Sequence, residues 1–442
     1  MQEIHSAVDK YRDLILEAEK TIWRTPETGY KEYKTHAYLL EEFRKLGYEP
    51  REAEGITGFT VDVKMENEGP TVLILGELDS VICPSHPEAD PETGAVHACG
   101  HHAQCAALLG IAAALTEPSV RQGLSGRVRL AAVPAEELIE IEYRTRLKKE
   151  GKIRYFGGKL EFLSRGLFDG VDLCMMVHTS SCFAITRGMA GLLAKRVTYL
   201  GKSAHAGGSP WDGVNALYAA NCGIGAVNAI RETFRDEEMI RVHPILTHGG
   251  DIVNAIPERV SLESYVRGRS FEAIASANRR VNRALVGAAL SLGAQIEIED
   301  TAGYSPMEND DGMRSVAEDA FRLLFPKEPL YVNESVSSGS TDMGDLSQLF
   351  PTVHPWSGGA VGAGHGADYR IASAERATVM TAKWQVGALK LLLENGAARG
   401  REIVANFTPK FVSKEALFAY IATLESQGER IEYKEGAATA RV

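Results

Sequence analysis

Three strand-like stretches, each ending in a side chain able to hold a proton or a metal, constrain the fold more than anything else in this chain. Thr71-Val72-Leu73-Ile74-Leu75 delivers Gly76-Glu77-Leu78-Asp79, Arg127-Val128-Arg129-Leu130-Ala131-Ala132-Val133 delivers Pro134-Ala135-Glu136-Glu137, and Val171-Asp172-Leu173-Cys174-Met175-Met176-Val177 delivers His178-Thr179. The first is apolar throughout, as expected of a strand covered on both faces. In open α/β sheets the chemistry collects at the carboxyl ends of the strands, so Asp79, Glu136, Glu137 and His178 are expected to point into one cleft.

Between the first two stretches runs His97-Ala98-Cys99-Gly100-His101-His102-Ala103-Gln104-Cys105, leading directly into the uncharged helical segment 106–115. Thiolate and imidazole suit zinc or a neighbouring transition metal, and the intervening glycine lets Cys99 and His101 converge on one ion. Cys and His also populate satisfied cores, so the motif alone is half of a metal site. Asp79 either orients a ligand histidine through its second ring nitrogen or caps a turn. Two adjacent carboxylates at a strand end need a cation or a proton to relieve their repulsion. One of Glu136 and Glu137 is therefore expected to ligate metal and the other to act as general base, the bland alternative being a solvated helix start. His365, in Gly362-Ala363-Gly364-His365-Gly366-Ala367, is placed for a final ligand or for close substrate approach; His354, between apolar neighbours, is expected to pack.

A chain of 442 residues exceeds one ordinary core, so two domains are expected. Residues 1–187 and 301–400 read as the α/β metal-binding domain. Residues 188–300 follow a β-α-β-β-α-β order, a compact α+β unit inserted into the first, and 401–442 read as a C-terminal extension with a helix near 410–425. Within the insert, His205 lies in a Gly/Ser-rich loop where packing is not expected, and Asn254 and Arg267 look outward, arginine being well suited to a carboxylate. The polar, basic segment 138–165, with Arg144, Lys148 and Lys152, reads as a surface helix and loop without chemistry. Lys plus Arg at 48 against Asp plus Glu at 59 gives a net charge of −11 with no basic stripe, which argues against nucleic acid or an anionic membrane as partner. The polar N-terminal residues lack the apolar core of a signal peptide and no apolar run spans a bilayer, so a cytoplasmic protein is expected, its six scattered cysteines reduced.

Gly76-Glu77-Leu78-Asp79, His97-Ala98-Cys99-Gly100-His101, Pro134-Ala135-Glu136-Glu137, Gly201-Lys202-Ser203-Ala204-His205-Ala206 and Asn254-Ala255-Ile256-Pro257, in this order, make the chain resemble the co-catalytic metallohydrolases. This superfamily includes aminoacylases, glutamate carboxypeptidases, acetylornithine deacetylase and indole-acetyl-amino-acid amidohydrolases. The resemblance runs over residues 10–395, and Gly339-Ser340-Thr341-Asp342-Met343-Gly344-Asp345 looks like the branch of p-aminobenzoyl-glutamate hydrolase subunits. It implies a mixed-sheet α/β metallopeptidase domain with an inserted ferredoxin-like lid that mediates dimerisation, and two divalent ions, zinc or manganese, with cobalt as an in vitro substitute. Carried over motif by motif, Cys99, His101, Glu137, His178 and His365 would be metal ligands, and Glu136 the general base. Asp79 would orient His101. His205 would reach the partner subunit's active site and polarise the scissile carbonyl, while Asn254 and Arg267 would hold the substrate's carboxylate.

The implied reaction is hydrolysis of the amide of an N-acyl amino acid or small dipeptide-like compound, p-aminobenzoyl-glutamate included. The implied assembly is a homodimer, with a heteromeric partner as the other arrangement. The rival reading is a catalytically silent substrate-binding subunit of a heteromeric amidase. Two departures stand out: His102 and Gln104 replace the residues that relatives commonly carry after Cys-Gly-His, and His178 is followed by Thr179-Ser180 where a proline-containing continuation is frequent.

Overall fold

The apolar run at 71–75 forms the middle of β2 (Asn67–Glu77), in which every residue from Pro70 to Glu77 is buried. The computed structural model describes residues 1–435 and 437–442. β2 pairs in parallel with β3 (Ser125–Val133) on one side and with β4 (Leu173–Met175) on the other. β1 (Phe59–Lys64) runs antiparallel on the outer side of β3, and the short strands Arg51–Glu52 and Thr352–Val353 close the two edges. The sheet is therefore mixed, with its central strands parallel. Their shared direction brings the segments after Glu77, Val133 and Met175 to one end.

The Cys-His stretch enters α1 (His101–Ala114), all of whose residues are buried. That helix has no polar face because it packs between β2 and the helices Arg12–Trp23 and Met380–Asn406. The helices Gln2–Lys10 and Arg12–Trp23 meet at Tyr11. The basic segment 138–165 forms α2 (Ile141–Lys149) and α3 (Gly158–Ser164). It is not merely a surface element, because Arg144 and Lys159 are buried within it.

The chain divides into two units. The first comprises Met1–Gly188, Met307–Val336 and Thr341–Lys414, the second Met189–Pro306, Ser337–Ser340 and Glu415–Val442. In the second, β5 (Gly191–Leu200), α4 (Ala216–Ala229), the short strands Arg241–Val242 and Ile245–His248, β6 (Arg259–Gly268), α5 (Phe271–Ser291) and β7 (Gln295–Tyr304) follow the expected β-α-β-β-α-β order with one short strand, Arg241–Val242, added. β5 lies between β6 and β7, antiparallel to both, and the two short strands pair with the outer edge of β6. Val197, Tyr199, Val260, Leu262, Ile296 and Ile298 alternate onto the face covered by α4 and α5. The expected α/β domain with an inserted ferredoxin-like domain is what the chain forms.

Residues 401–442, expected as an extension, are shared between the units. In the first, the backbone leaves the helical region at Glu394–Ala397 and resumes as a second helix that runs to Asn406; in the second, β8 (Ser426–Glu429) adds a strand to β7. Ser426-Gln427-Gly428-Glu429 has no apolar side chain, so this pairing rests on backbone hydrogen bonds that leave no hydropathy signal. No helix among the described residues is long and apolar enough to cross a membrane.

Candidate metal centre

Gly100 caps the N-terminus of α1 at φ +101°, and a Cβ there would stand 1.7 Å from Thr179 Oγ1. Only glycine allows the chain to turn so tightly between Cys99 and His101. The ligand atoms of Cys99, His101 and His178 lie within 4.8 Å of one another, as do those of Cys99, Glu137 and His365. Cys99 Sγ is 3.4 Å from His178 Nε2, and His365 Nε2 is 3.0 Å from Glu137 Oε1. The structure thus brings all five residues expected as ligands together, with the thiol common to both groups. One thiol, three imidazoles and a carboxylate form a donor set suited to two borderline divalent cations.

Asp79, fully buried, holds two members of the cluster at once. His101 Nδ1 lies 2.9 Å from the Asp79 carbonyl oxygen and 3.3 Å from its Oδ1, and the Glu137 N–H donates to Asp79 Oδ2 at 2.8 Å. His354 is buried as expected, its ring stacked 5.9 Å from that of His178. His102 turns away from the cluster, with Nε2 3.3 Å from Glu19 Oε1 and its ring against Trp23. Gln104 accepts the Glu77 N–H at 3.2 Å.

Charge is heavily perturbed here. Burial and the neighbouring Glu137 push the Cys99 thiol up, but His101 and His178 outweigh them and bring it to about 6. Burial likewise raises Glu137, and the His365 imidazolium more than compensates, holding it at about 2; Glu137 in turn lifts His365 to about 11. Glu136 goes the other way. Burial, then the charges of Glu77 and Glu137, place its carboxyl well above the usual carboxylate range. The two adjacent glutamates are thereby driven apart, the pattern expected of a ligand beside a proton carrier. Of the non-glycine residues at positive φ, Ala135 at +58° and His365 at +61° both lie here, each position costing about 1–3 kcal/mol in backbone strain.

Sequence reasoning gave no role to Glu77, Lys159 and Asp342, nor to Arg144 and Glu32. Lys159 Nζ donates to Glu77 Oε1 and Asp342 Oδ1, and its backbone N–H donates to Asp342 Oδ2 at 2.9 Å; none of the three is exposed. Glu77 Oε2 is 3.2 Å from His101 Nε2, which joins this triad to the cluster. Glu77 and Asp342 sit inside motifs the sequence displayed, whereas Lys159 was hidden in a basic stretch indistinguishable from a solvated one.

His205, Asn254 and Arg267 belong to the second unit. His205 is exposed, and its Nδ1 accepts the N–H groups of Gly207 and Gly208 at 3.1 and 2.8 Å, which places the proton of the neutral ring on Nε2. The Ala206 N–H donates to the Asn254 carbonyl oxygen at 2.9 Å, so the His205 and Asn254 loops run side by side. Arg267 donates to Ser340 Oγ at 2.9 Å and stands 5.4 Å over the Tyr265 ring.

Known proteins share this architecture. The chain is 29% identical over 357 residues to Xaa-Arg dipeptidase of Mus musculus, covering 79% of this chain and 77% of the relative. Among solved structures, a dinuclear metal-binding peptidase from Bacillus subtilis superposes with a TM-score of 0.62 at 20% identity, over 87% of this chain and 99% of that one. The aminobenzoyl-glutamate utilization protein of Klebsiella pneumoniae does so with a TM-score of 0.65 at 16% identity, over 89% and 99%. Residues 73–385 match the profile of peptidase family M20/M25/M40, a span from the middle of β2 to the long helix beyond His365, and the chain therefore belongs to this family of amide-bond hydrolases.

Proposed function

We propose that this chain is a two-metal amidohydrolase that cleaves the amide of an N-acyl amino acid or a small dipeptide-like compound, p-aminobenzoyl-glutamate-like amides included. The observation that carries the reading is the Cys99 thiol shared by two ligand groups beside a buried, protonatable Glu136. Cys99, His101 and His178 would hold one ion, and Cys99, Glu137 and His365 the other, zinc or manganese with cobalt as an in vitro substitute. Such ions supply Lewis acidity toward a carbonyl and make water acidic near neutral pH. Glu136 takes a proton from the attacking water at its carboxylate and hands it to the leaving amine, a role suited to a carboxyl whose affinity for protons is raised. Asp79 keeps His101 in one orientation. His205 would offer its Nε2–H to the developing oxyanion in the partner subunit's active site, and Asn254 and Arg267 would receive the substrate's carboxylate.

A second copy of the chain is the partner we propose for the second unit, on whose edge Ile245 is 62% and Val253 99% exposed. A cytoplasmic setting belongs to the same reading and agrees with six unpaired cysteines. Sedimentation of the intact chain tests the dimer.

Amine release from N-acyl amino acids, p-aminobenzoyl-glutamate and dipeptides, with zinc, manganese or cobalt added, tests the reaction. Wild type should turn over part of this panel, and Glu136→Ala should lose about 10²–10⁴ in kcat with its metal content unchanged. Turnover of Glu136→Ala at the wild-type rate would refute the base assignment, and silence of the metal-loaded wild type across the panel would refute the reaction.

A further inference from the structure

Glu136 lies in a turn whose backbone is held from both sides, and the strongest hold comes from a residue that the sequence placed on the surface. Arg144, in α2, is 1% exposed. Its Nη1 donates to the Ala135 carbonyl oxygen at 3.2 Å and to that of Phe156 at 2.7 Å, and its Nη2 donates to the Glu137 carbonyl oxygen. The N–H groups of the same two residues are also held by acidic side chains. Ala135 N–H donates to Glu32 Oε1 and Glu137 N–H to Asp79 Oδ2, both at 2.8 Å. Glu136 is the residue between these two clamped neighbours.

We infer that Arg144 is a positioning residue: its guanidinium grips the carbonyls on either side of Glu136 and thereby fixes the direction in which that carboxyl points. This rests on the proposed role of Glu136 as proton carrier. Leaving β3, the chain must pass through the left-handed region at Ala135, φ +58°, a conformation that persists only where its surroundings over-determine it. A planar guanidinium presents donors in a rigid fork that matches two carbonyls at once, whereas a lysine offers a single ammonium on a flexible stem. The space for the fork depends on Gly29, where a Cβ would come within 2.4 Å of Arg144 Nη2 and 2.8 Å of the Ala135 Cα. The guanidinium also lies 5.6 Å from the centroid of the Tyr30 ring, so two consecutive residues shape its seat.

Because Glu137 stays tied to Asp79 when Arg144 is lost, metal retention and base direction can be separated. The experiment compares wild type, Arg144→Ala, Arg144→Lys and Gly29→Ala by kcat and KM on the best amide of the panel, by metal stoichiometry, by the absorption spectrum of the cobalt-loaded protein, and by the response to millimolar guanidinium. Arg144→Ala should bind cobalt with the wild-type stoichiometry and spectrum, keep KM within about 3-fold and lose about 100-fold in kcat, the scale of a misplaced catalytic group. Guanidinium should restore about a tenth or more of the lost rate by entering the vacated buried site, and Arg144→Lys should fall between the two. Gly29→Ala, whose Cβ would crowd both Arg144 Nη2 and Ala135, should reproduce the kcat defect while leaving every proposed metal ligand in place.

Wild-type kcat in Arg144→Ala, or a rate loss that guanidinium fails to relieve while KM and the cobalt spectrum change with it, would overturn the inference. If Arg144→Ala does not fold, Arg144→Lys and Gly29→Ala decide, and wild-type kcat in both overturns it. An inactive wild type, or an active Glu136→Ala, would instead strike the proposed reaction, so the two failures are distinguishable.

Discussion

Each unit contains a lysine with no exposed surface, and the two lysines differ in what surrounds them. Lys159 faces the carboxylates of Glu77 and Asp342, with Glu136 beyond them. Lys195, in the second unit, faces one carboxylate, Asp300, and the amide oxygen of Asn282. Asp300 in turn accepts from Asn278 Nδ2 at 2.9 Å, Asn282 Nδ2 at 3.0 Å and Ser426 Oγ at 3.1 Å. The proton affinities follow. Burial lowers Lys159, but Asp342 and Glu77 more than reverse it and hold the ammonium above its usual range; burial lowers Lys195 further than its single partner can restore. The end of the first unit's sheet is overloaded with negative charge and keeps its cation by force of numbers, whereas the second unit's network sets one carboxylate against one lysine, with Arg430 at its rim, and is closed by amides and a hydroxyl. An excess of buried carboxylate is costly, and it stands where cations are expected to bind; the balanced network has no such task.

The largest effect should come from breaking the overloaded side. Lys159→Met leaves Glu77 and Asp342 buried together without the ammonium between them and should lose about 3–5 kcal/mol of stability in denaturant unfolding at neutral pH. Lys195→Met should lose less, about 1–3 kcal/mol, because Asp300 keeps three neutral donors. Equal losses would remove the distinction between the two networks.

A pH series sharpens it. Glu32 Oε2 accepts the Thr57 hydroxyl at 2.6 Å while Oε1 takes Ala135, and burial, followed by the charge of Asp79, pushes this carboxyl up to about 8 from 4.5. The folded state then retains a proton that the unfolded chain releases near 4.5, so the contribution of Glu32 is most favourable below that pH and is lost progressively as pH rises toward 8. The Tm of wild type should accordingly fall across this window relative to Glu32→Gln, whose amide oxygen can still accept the Ala135 N–H while its NH2 donates to the Thr57 hydroxyl. Asp300 has the opposite sign: burial raises it, but Lys195 and the two asparagines hold it below its ordinary 3.8, so its stability is present above that pH and fades only in acid. Parallel Tm profiles for wild type and Glu32→Gln from pH 4.5 to 8 would show that the excess carboxylate does not reach as far as Glu32.

What was legible in the sequence divides along the same line. Cys99, His101, Glu137, His178 and His365 could be read because they stand at strand ends or among glycines, places where such side chains have few other uses. Arg144, Lys159 and Glu32 could not. Lys159 with Glu77 and Asp342, and Glu32 with Ala135, make contacts far along the chain, while Arg144 folds back on the nearby carbonyls of Ala135, Glu137 and Phe156, and the neighbourhood of each looks like solvated surface. A buried ion pair leaves no periodicity, and only tertiary structure shows which member of a basic run is enclosed. The ferredoxin-like insert was legible from alternation, as in β6, where buried positions recur at every second residue. The strand β8 was not, since it buries no apolar side chain of its own.

That strand gives the smallest expected effect and the finest test of how the balanced network is closed. β8 pairs with β7 through Ser426↔Asp300 to Glu429↔Glu297, and the Ser426 hydroxyl on Asp300 Oδ2 ties its first residue to the interior. Arg430 Nη2 donates back to Ser426 Oγ at 2.7 Å, so the hydroxyl passes a hydrogen-bond chain from the edge of the sheet to the buried carboxylate. Ser426→Ala removes one of several donors to a charged acceptor that keeps Lys195 and two amides, and should therefore cost about 0.5–1.5 kcal/mol. Its effect should be local. Amide exchange should quicken at residues 426–429 and at their partners on β7, while α5, which carries Asn278 and Asn282, stays protected. Faster exchange throughout α5 would mean that the hydroxyl is a structural member of the lysine network itself, and the second unit's balance would then depend on a strand that the apolar pattern of the chain does not announce.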